Sequence, residues 1–183
     1  MVPVLLSSGQ EKRDFMERTD LKFGSTGVFD KGIDIARRSD ASVLITGKTG
    51  TGKSTLAEDI HRNSSRSGGP FVTVNIASIH EATIEATLFG FERGAFTGAE
   101  RARIGRFELG QAGTVFIDEI AELSLPLQAR LLEFLQRRAV TPLGSNVEKR
   151  LDVRVICATN RNLTEEVRSG RFRDDLYHRI RVL

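Results

Sequence analysis

The sequence predicts an α/β domain, a parallel sheet sandwiched between helices, and three observations carry that reading. Gly47-Lys48-Thr49-Gly50-Thr51-Gly52-Lys53-Ser54 fits G-x-x-x-x-G-K-[ST] at every constrained position, between the apolar run Val43-Leu44-Ile45 and a helix-like segment over residues 54–61. Thr114-Val115-Phe116-Ile117 is an apolar run ending in Asp118 and Glu119. It reads as a buried parallel strand with its acids at the C-terminal end, where open α/β sheets bind ligands. Val153-Arg154-Val155-Ile156-Cys157-Ala158 is another strand, and it delivers Thr159-Asn160 to the same sheet edge.

The first motif is a phosphate-binding loop. Gly47 and Gly52 let the backbone curl, so that successive N–H groups and a helix N-terminus point at anionic oxygens. Lys53 then reaches β- and γ-phosphates, the Ser54 hydroxyl stands ready for Mg²⁺, and the nucleotide-binding set runs from Gly47 through Thr49, Gly50 and Thr51 to Thr55. Asp118 holds Mg²⁺ through its water shell and Glu119 polarises the water that attacks the γ-phosphate. The plainer alternatives are a Gly-rich turn before an ordinary helix and, for the two acids, a helix N-terminus that favours negative charge. Thr159-Asn160 either orients the hydrolytic water or forms a turn with an asparagine cap.

Composition bounds the rest. At 183 residues the chain suffices for one sizeable core, and 39% hydrophobic with 28% charged residues is ordinary for a soluble globular protein. A net charge of +3 is too mild to announce a nucleic-acid binder. Cys157 is the only cysteine, which excludes an intrachain disulfide and suits a reducing cytoplasm. Residues 1–6 are apolar but lack a basic n-region and a long h-region, so they are no signal peptide, and no apolar run approaches a membrane span.

In chain order, residues 1–20 read as a polar lead-in and residues 21–183 as the domain. Residues 23–29 have turn chemistry, and Ile33, Ile35 and Ala36 suggest a short amphipathic helix. Strands are expected over 41–46 and 71–75, and a helix over 79–88 with Ile84 and Leu88 on one face. Pro126 starts a helix whose Leu127, Leu131, Phe134 and Leu135 are core. Residues 140–150 read as a small hairpin or loop, 161–169 as a helix stopped by Gly170, and 172–179 as a helix carrying Arg173 and Arg179. Between these, Gly94 and Gly98 bracket a tip whose one bulky apolar side chain is Phe96. That tip either shows an aromatic to a partner or folds it back onto its own domain.

Gly94-Ala95-Phe96-Thr97-Gly98-Ala99 spells GAFTGA. With the phosphate loop, Leu88-Phe89-Gly90, Gly105-Arg106-Phe107-Glu108, Phe116-Ile117-Asp118-Glu119-Ile120, Leu131-Leu132, Ala158-Thr159-Asn160 and residues 172–179 in order, the chain resembles the bacterial enhancer-binding proteins, AAA+ ATPases that activate sigma-54-dependent transcription. The resemblance covers roughly Gly24 to the end.

The resemblance implies ATP and Mg²⁺ as cofactors, with sigma-54 and the RNA polymerase holoenzyme as partners. It implies a ring, usually a hexamer, and DNA binding through a separate domain. Gly94 to Ala99 become the sigma-54 contact, with Phe96 and Thr97 foremost. Asn75 matches the asparagine that holds the catalytic glutamate, Thr159 and Asn160 match sensor I, and Arg173 and Arg179 match arginines inserted into a neighbour's site. The sequence departs from the family pattern at Lys48 and Ser54, where acidic residues are usual, at Phe91, where histidine is usual, and at Ile76, where cysteine is usual. It also stops before the helical lid. Two other classes fit parts of the sequence: a nucleotide-binding switch of the same family without turnover, and a small P-loop kinase, which leaves GAFTGA without a reason.

Overall fold

The computed structural model describes residues 4–6 and 27–181. Apart from Val4–Leu6, the expected lead-in lies outside them, as do residues 23–26 and the strand start expected at Val182 and Leu183. The chain runs β1 (Val4–Leu6), α1 (Gly27–Arg38), β2 (Val43–Gly47), α2 (Lys53–Arg62), β3 (Phe71–Asn75), a 3₁₀ turn and α3 (Glu81–Phe89). It continues through β4 (Gly90–Phe91), β5 (Arg103–Ile104), α4 (Arg106–Leu109) and β6 (Thr114–Asp118) to a 3₁₀ turn, Ile120–Glu122. The remainder is α5 (Leu125–Arg137), β7 (Ala139–Val140), β8 (Lys149–Arg150), β9 (Arg154–Thr159), α6 (Leu163–Arg168) and α7 (Asp174–Ile180).

A five-stranded sheet forms in the order β1-β2-β9-β6-β3, every pairing parallel. Side chains alternate across a strand, and here both faces are covered. Val43, Ile45, Phe116, Ile156 and Ala158 meet Ile33, Ala36, Leu56, Ala57 and Ile60 on the α1/α2 side. Leu44, Val115, Ile117, Val155 and Cys157 meet Leu88, Phe107, Leu131, Phe134, Leu176 and Ile180 on the other. Burial on two faces is why these strands read as unbroken apolar runs. It also pushes the Cys157 thiol up to about 12.

Parallel register then sets the site. Thr46 pairs with Thr159, Ile117 with Cys157, and Asn75 with Asp118, so the C-terminal ends of β2, β9, β6 and β3 finish along one rim. At the opposite end Arg154, 1% exposed, sends its guanidinium to Ala36 O and Ala41 O, the carbonyls at the end of α1 and the loop after it.

The expected core residues Ile84, Leu88, Leu127, Leu131, Phe134 and Leu135 are all buried. Two expectations need correction. Ile35 is 52% exposed, because a helix that buries Ile33 and Ala36 at i and i+3 turns residue 35 away. Arg173 is not within the last helix but at its N-cap, with α7 starting at Asp174.

Candidate functional site

The phosphate loop leaves β2 and enters α2 through Gly50 and Gly52, at φ 80° and 86°, conformations only glycine takes cheaply. Lys53 is the first residue of α2 and is 6% exposed, and among the described residues its Nζ donates to carbonyls of its own loop, Gly47 O at 3.1 Å and Lys48 O at 3.4 Å, with Glu119 Oε1 at 4.0 Å. Thr51 donates its hydroxyl to Lys48 O at 2.8 Å and closes the loop. The Ser54 hydroxyl is exposed and has no hydrogen-bond partner among the described residues. A buried ammonium beside one carboxylate, with free N–H groups at a helix start and an open hydroxyl next to it, fits a magnesium-bound polyphosphate.

Across the rim, Glu119 follows β6 in the left-handed conformation, φ 54° and ψ 51°. Its Oε2 accepts the Asn160 N–H at 3.2 Å, while Asp118 Oδ1 accepts the Glu119 N–H at 3.0 Å. Asn160 in turn donates its side-chain amide to Thr49 Oγ1 at 3.0 Å, joining the end of β9 to the phosphate loop. Thr159 is fully buried and its hydroxyl accepts the Arg161 N–H. Lys53, Asp118, Glu119, Asn160 and Thr49 therefore form one connected group. Asn75 stands beside Asp118 in register, but the Glu119 carboxylate is held by Asn160 and not by the Asn75 side chain. A cleft of about 470 Å³ opens next to the loop, lined by Thr46, Gly47, Lys48, Asn160, Arg161, Tyr177 and Arg181 among others. A second, of about 530 Å³, lies at the opposite end of the strands beside Arg66, whose charge is taken up by Asp40 and Asp152.

Arg173 and Arg179 stand apart from that group. Arg173 makes a two-pronged pair with Asp175, at 3.0 and 2.7 Å, which raises the arginine pKa and lowers that of the acid. Arg179 donates to Leu135 O at 2.9 Å. Neither guanidinium bonds to the phosphate loop or to Glu119 of its own chain.

Gly94 to Ala99 form the tip between β4 and β5, closed by Gly94 N–H to Ala99 O at 2.8 Å and Ala99 N–H to Phe96 O at 3.0 Å. Phe96 is 45% exposed, with its ring 5.0 Å from that of Phe91. Phe96 thus packs against Phe91 of its own domain while staying half-exposed.

Sequence reasoning missed the tip's neighbour. The loop after β7 runs alongside: Glu92 N–H bonds Leu143 O, Leu143 N–H bonds Gly90 O, and Gly144 packs against Ala95. It also missed Arg161, which pairs with Glu122 just after Glu119, and Gln128, buried on α5. A glutamine inside the stripe Leu127, Leu131, Leu135 was a signal for the last; the others had none.

Strand order, glycine loop and acids together define the class, an AAA+ P-loop NTPase fold. The chain belongs to the Sigma-54 interaction domain family, whose match spans residues 26–183. It is 52% identical over 145 residues to the response regulator protein FleR of Pseudomonas aeruginosa, covering 79% of this chain and 31% of that protein. To a Nif-specific regulatory protein of Enterobacter agglomerans it is 48% identical over 163 residues, covering 87% and 32%. The chain thus spans about a third of these relatives. Among solved structures, NtrX from Brucella abortus in complex with ATP superposes with TM-score 0.80 at 32% identity, covering 95% of this chain and 38% of that one. The P-loop NTPase domain of an E. coli sigma-54 transport activator, at TM-score 0.56 and 18% identity over 82% of this chain and 98% of that one, shares the fold. Among the described residues no helix is long and apolar enough to cross a membrane.

Proposed function

We propose that residues 21–183 are the ATP-hydrolysing core of a sigma-54 activator, which remodels the RNA polymerase closed complex through the Gly94–Ala99 loop. The observation that carries the reading is the Glu119 carboxylate, fixed between the Lys53 ammonium and the Asn160 N–H on the rim that ends in the phosphate loop. Lys53 turns from its loop carbonyls to the β- and γ-phosphate oxygens of ATP and neutralises charge there. Ser54 and Asp118 would hold Mg²⁺, which would supply charge neutralisation for the phosphates. Glu119 accepts a hydrogen bond from the attacking water and aligns it, and Asn160 keeps that carboxylate aimed while touching Thr49 of the loop.

The missing component is positive charge for the transition state. Arg173 and Arg179 do not reach their own site, and we assign them to that of a neighbouring subunit in a ring, where such an arginine is worth about 10³ to 10⁵ in rate. Phe96 and Thr97 offer a half-exposed aromatic and a hydroxyl to sigma-54. The test is steady-state ATP hydrolysis against protein concentration, with and without sigma-54. Specific activity is expected to rise with concentration and to respond to sigma-54, and a flat, unresponsive profile overturns the reading.

A further inference from the structure

We propose that Gln128 is a positioning residue that ties the turn after Glu119 to the arginine each subunit offers its neighbour; the assignment rests on the in-trans reading of Arg173 given above. Gln128 lies on the apolar face of α5 and is 0% exposed. An apolar residue would fill that place, and a buried amide is costly unless its hydrogen bonds are made. Here they are made, all to backbone. Nε2 donates to Leu123 O at 2.7 Å and to Arg171 O at 3.0 Å, while Oε1 accepts the Arg173 N–H at 2.8 Å. Two carbonyls and one N–H admit a single orientation of the amide.

What those three groups belong to gives the amide its role. Leu123 ends the tight turn that begins on Glu119, with Glu122 N–H bonded to Glu119 O and Leu123 N–H to Ile120 O. Arg173 is the N-cap of α7 and its own side chain makes no cap; among the described residues its N–H is taken by Gln128. A displacement of the turn after Glu119 therefore moves the backbone of Arg171 and Arg173 through a three-centre link made by one buried amide. On the surface a second route joins the same segments, Glu122 to Arg161, Arg161 to Glu166, and Glu166 to Arg171 at 2.7 and 3.0 Å. Its ion pairs are wetted and weakened by salt, whereas the Gln128 link is not.

The test separates the two functions of a subunit in the assembled protein containing this chain. Lys53→Ala subunits offer only an arginine and Arg173→Ala subunits offer only a site, so their mixture sets the reference turnover. Gln128→Leu is then added to one partner at a time. On the Lys53→Ala chain it is expected to lower turnover about tenfold or more, since misplacing a reacting group by about 1 Å costs up to about 10². On the Arg173→Ala chain it is expected to leave turnover within about twofold. Equal loss in both arms, or no loss in either, leaves the in-trans arginine standing and overturns the assignment to Gln128. No recovery in the reference mixture overturns the in-trans reading and this assignment with it. Gln128→Glu, which keeps the shape and the acceptor for Arg173 N–H but loses both donors, runs through the same arms should the leucine variant not fold.

Discussion

Glu119 holds a backbone conformation, φ 54°, that costs a residue with a side chain about 1–2 kcal/mol. Glu119→Gln is expected to keep MgATP bound while turnover falls at least about 10²-fold, measured by calorimetry and steady-state hydrolysis. Glu119→Gly removes the carboxylate and relaxes the backbone, so it should abolish turnover yet raise stability by about 1 kcal/mol in denaturant titration. The left-handed backbone at Glu119 was not legible in the sequence, since a residue with a Cβ at positive φ leaves no mark in composition or periodicity. His61 illustrates the same limit. It is buried, with Nδ1 3.0 Å from Thr114 Oγ1 and its ring against Phe71. Burial holds its pKa below 6.5. The unfolded chain therefore takes up the proton first, so this contribution to stability is complete above about pH 6.5 and is lost as pH falls through the folded value. Tm measured from about pH 7.5 to about 5 should fall more steeply for the wild type than for His61→Gln.

The Gly94–Ala99 loop and its neighbour after β7 form a pair of elements. Thr97→Ala should leave ATP binding intact and abolish capture of sigma-54 by the protein loaded with ADP and aluminium fluoride, read as co-migration. Gly144 has φ 75°, and a Cβ there would come 2.8 Å from the Ala95 Cβ. Gly144→Ala is thus expected to shift the base of the tip and weaken the same capture several-fold, without change in nucleotide affinity. GAFTGA was legible because it is a contiguous string. Its support was not, because a Leu143 and a Gly144 carry no mark that they lie against Gly90 and Ala95. From Val43 on, the longer helices and strands were legible to within about two residues, their apolar periods being set by local geometry, whereas the short β4, β5 and α4 were not read and α1 begins at Gly27, inside the stretch read as a turn. Arg173 slipped from helix to cap for the opposite reason: its backbone is extended, φ −75° and ψ 132°, while its carbonyl already accepts the Tyr177 N–H, a one-residue distinction that apolar period does not fix.

At the scale of the molecule, the sheet brings chemistry from Gly47 to Asn160 onto one rim, and it leaves Arg173 and Arg179 away from it. Mixing Lys53→Ala with Arg173→Ala subunits should recover turnover that neither has alone, and activity should climb with concentration. The layering of helices on both faces was legible from unbroken apolar runs. Strand order was not, and Val4–Leu6, read as lead-in, instead pairs parallel with β2 on the rim side of the sheet, Leu6 opposite Gly47. Edge pairing of a three-residue strand leaves no periodic trace.

Cys157 sits at the middle of this sheet, on β9 between β2 and β6, and no other thiol exists in the chain. With its pKa pushed up to about 12 and no solvent access, it is chemically silent in the folded state. Only molecules whose central strands have come apart expose a thiolate-forming group. The chain thus carries its own clock: alkylation followed by mass spectrometry should proceed at the rate of global opening, whatever reagent concentration is used above saturation. Nucleotide that binds the folded rim and not the unfolded chain should slow that clock.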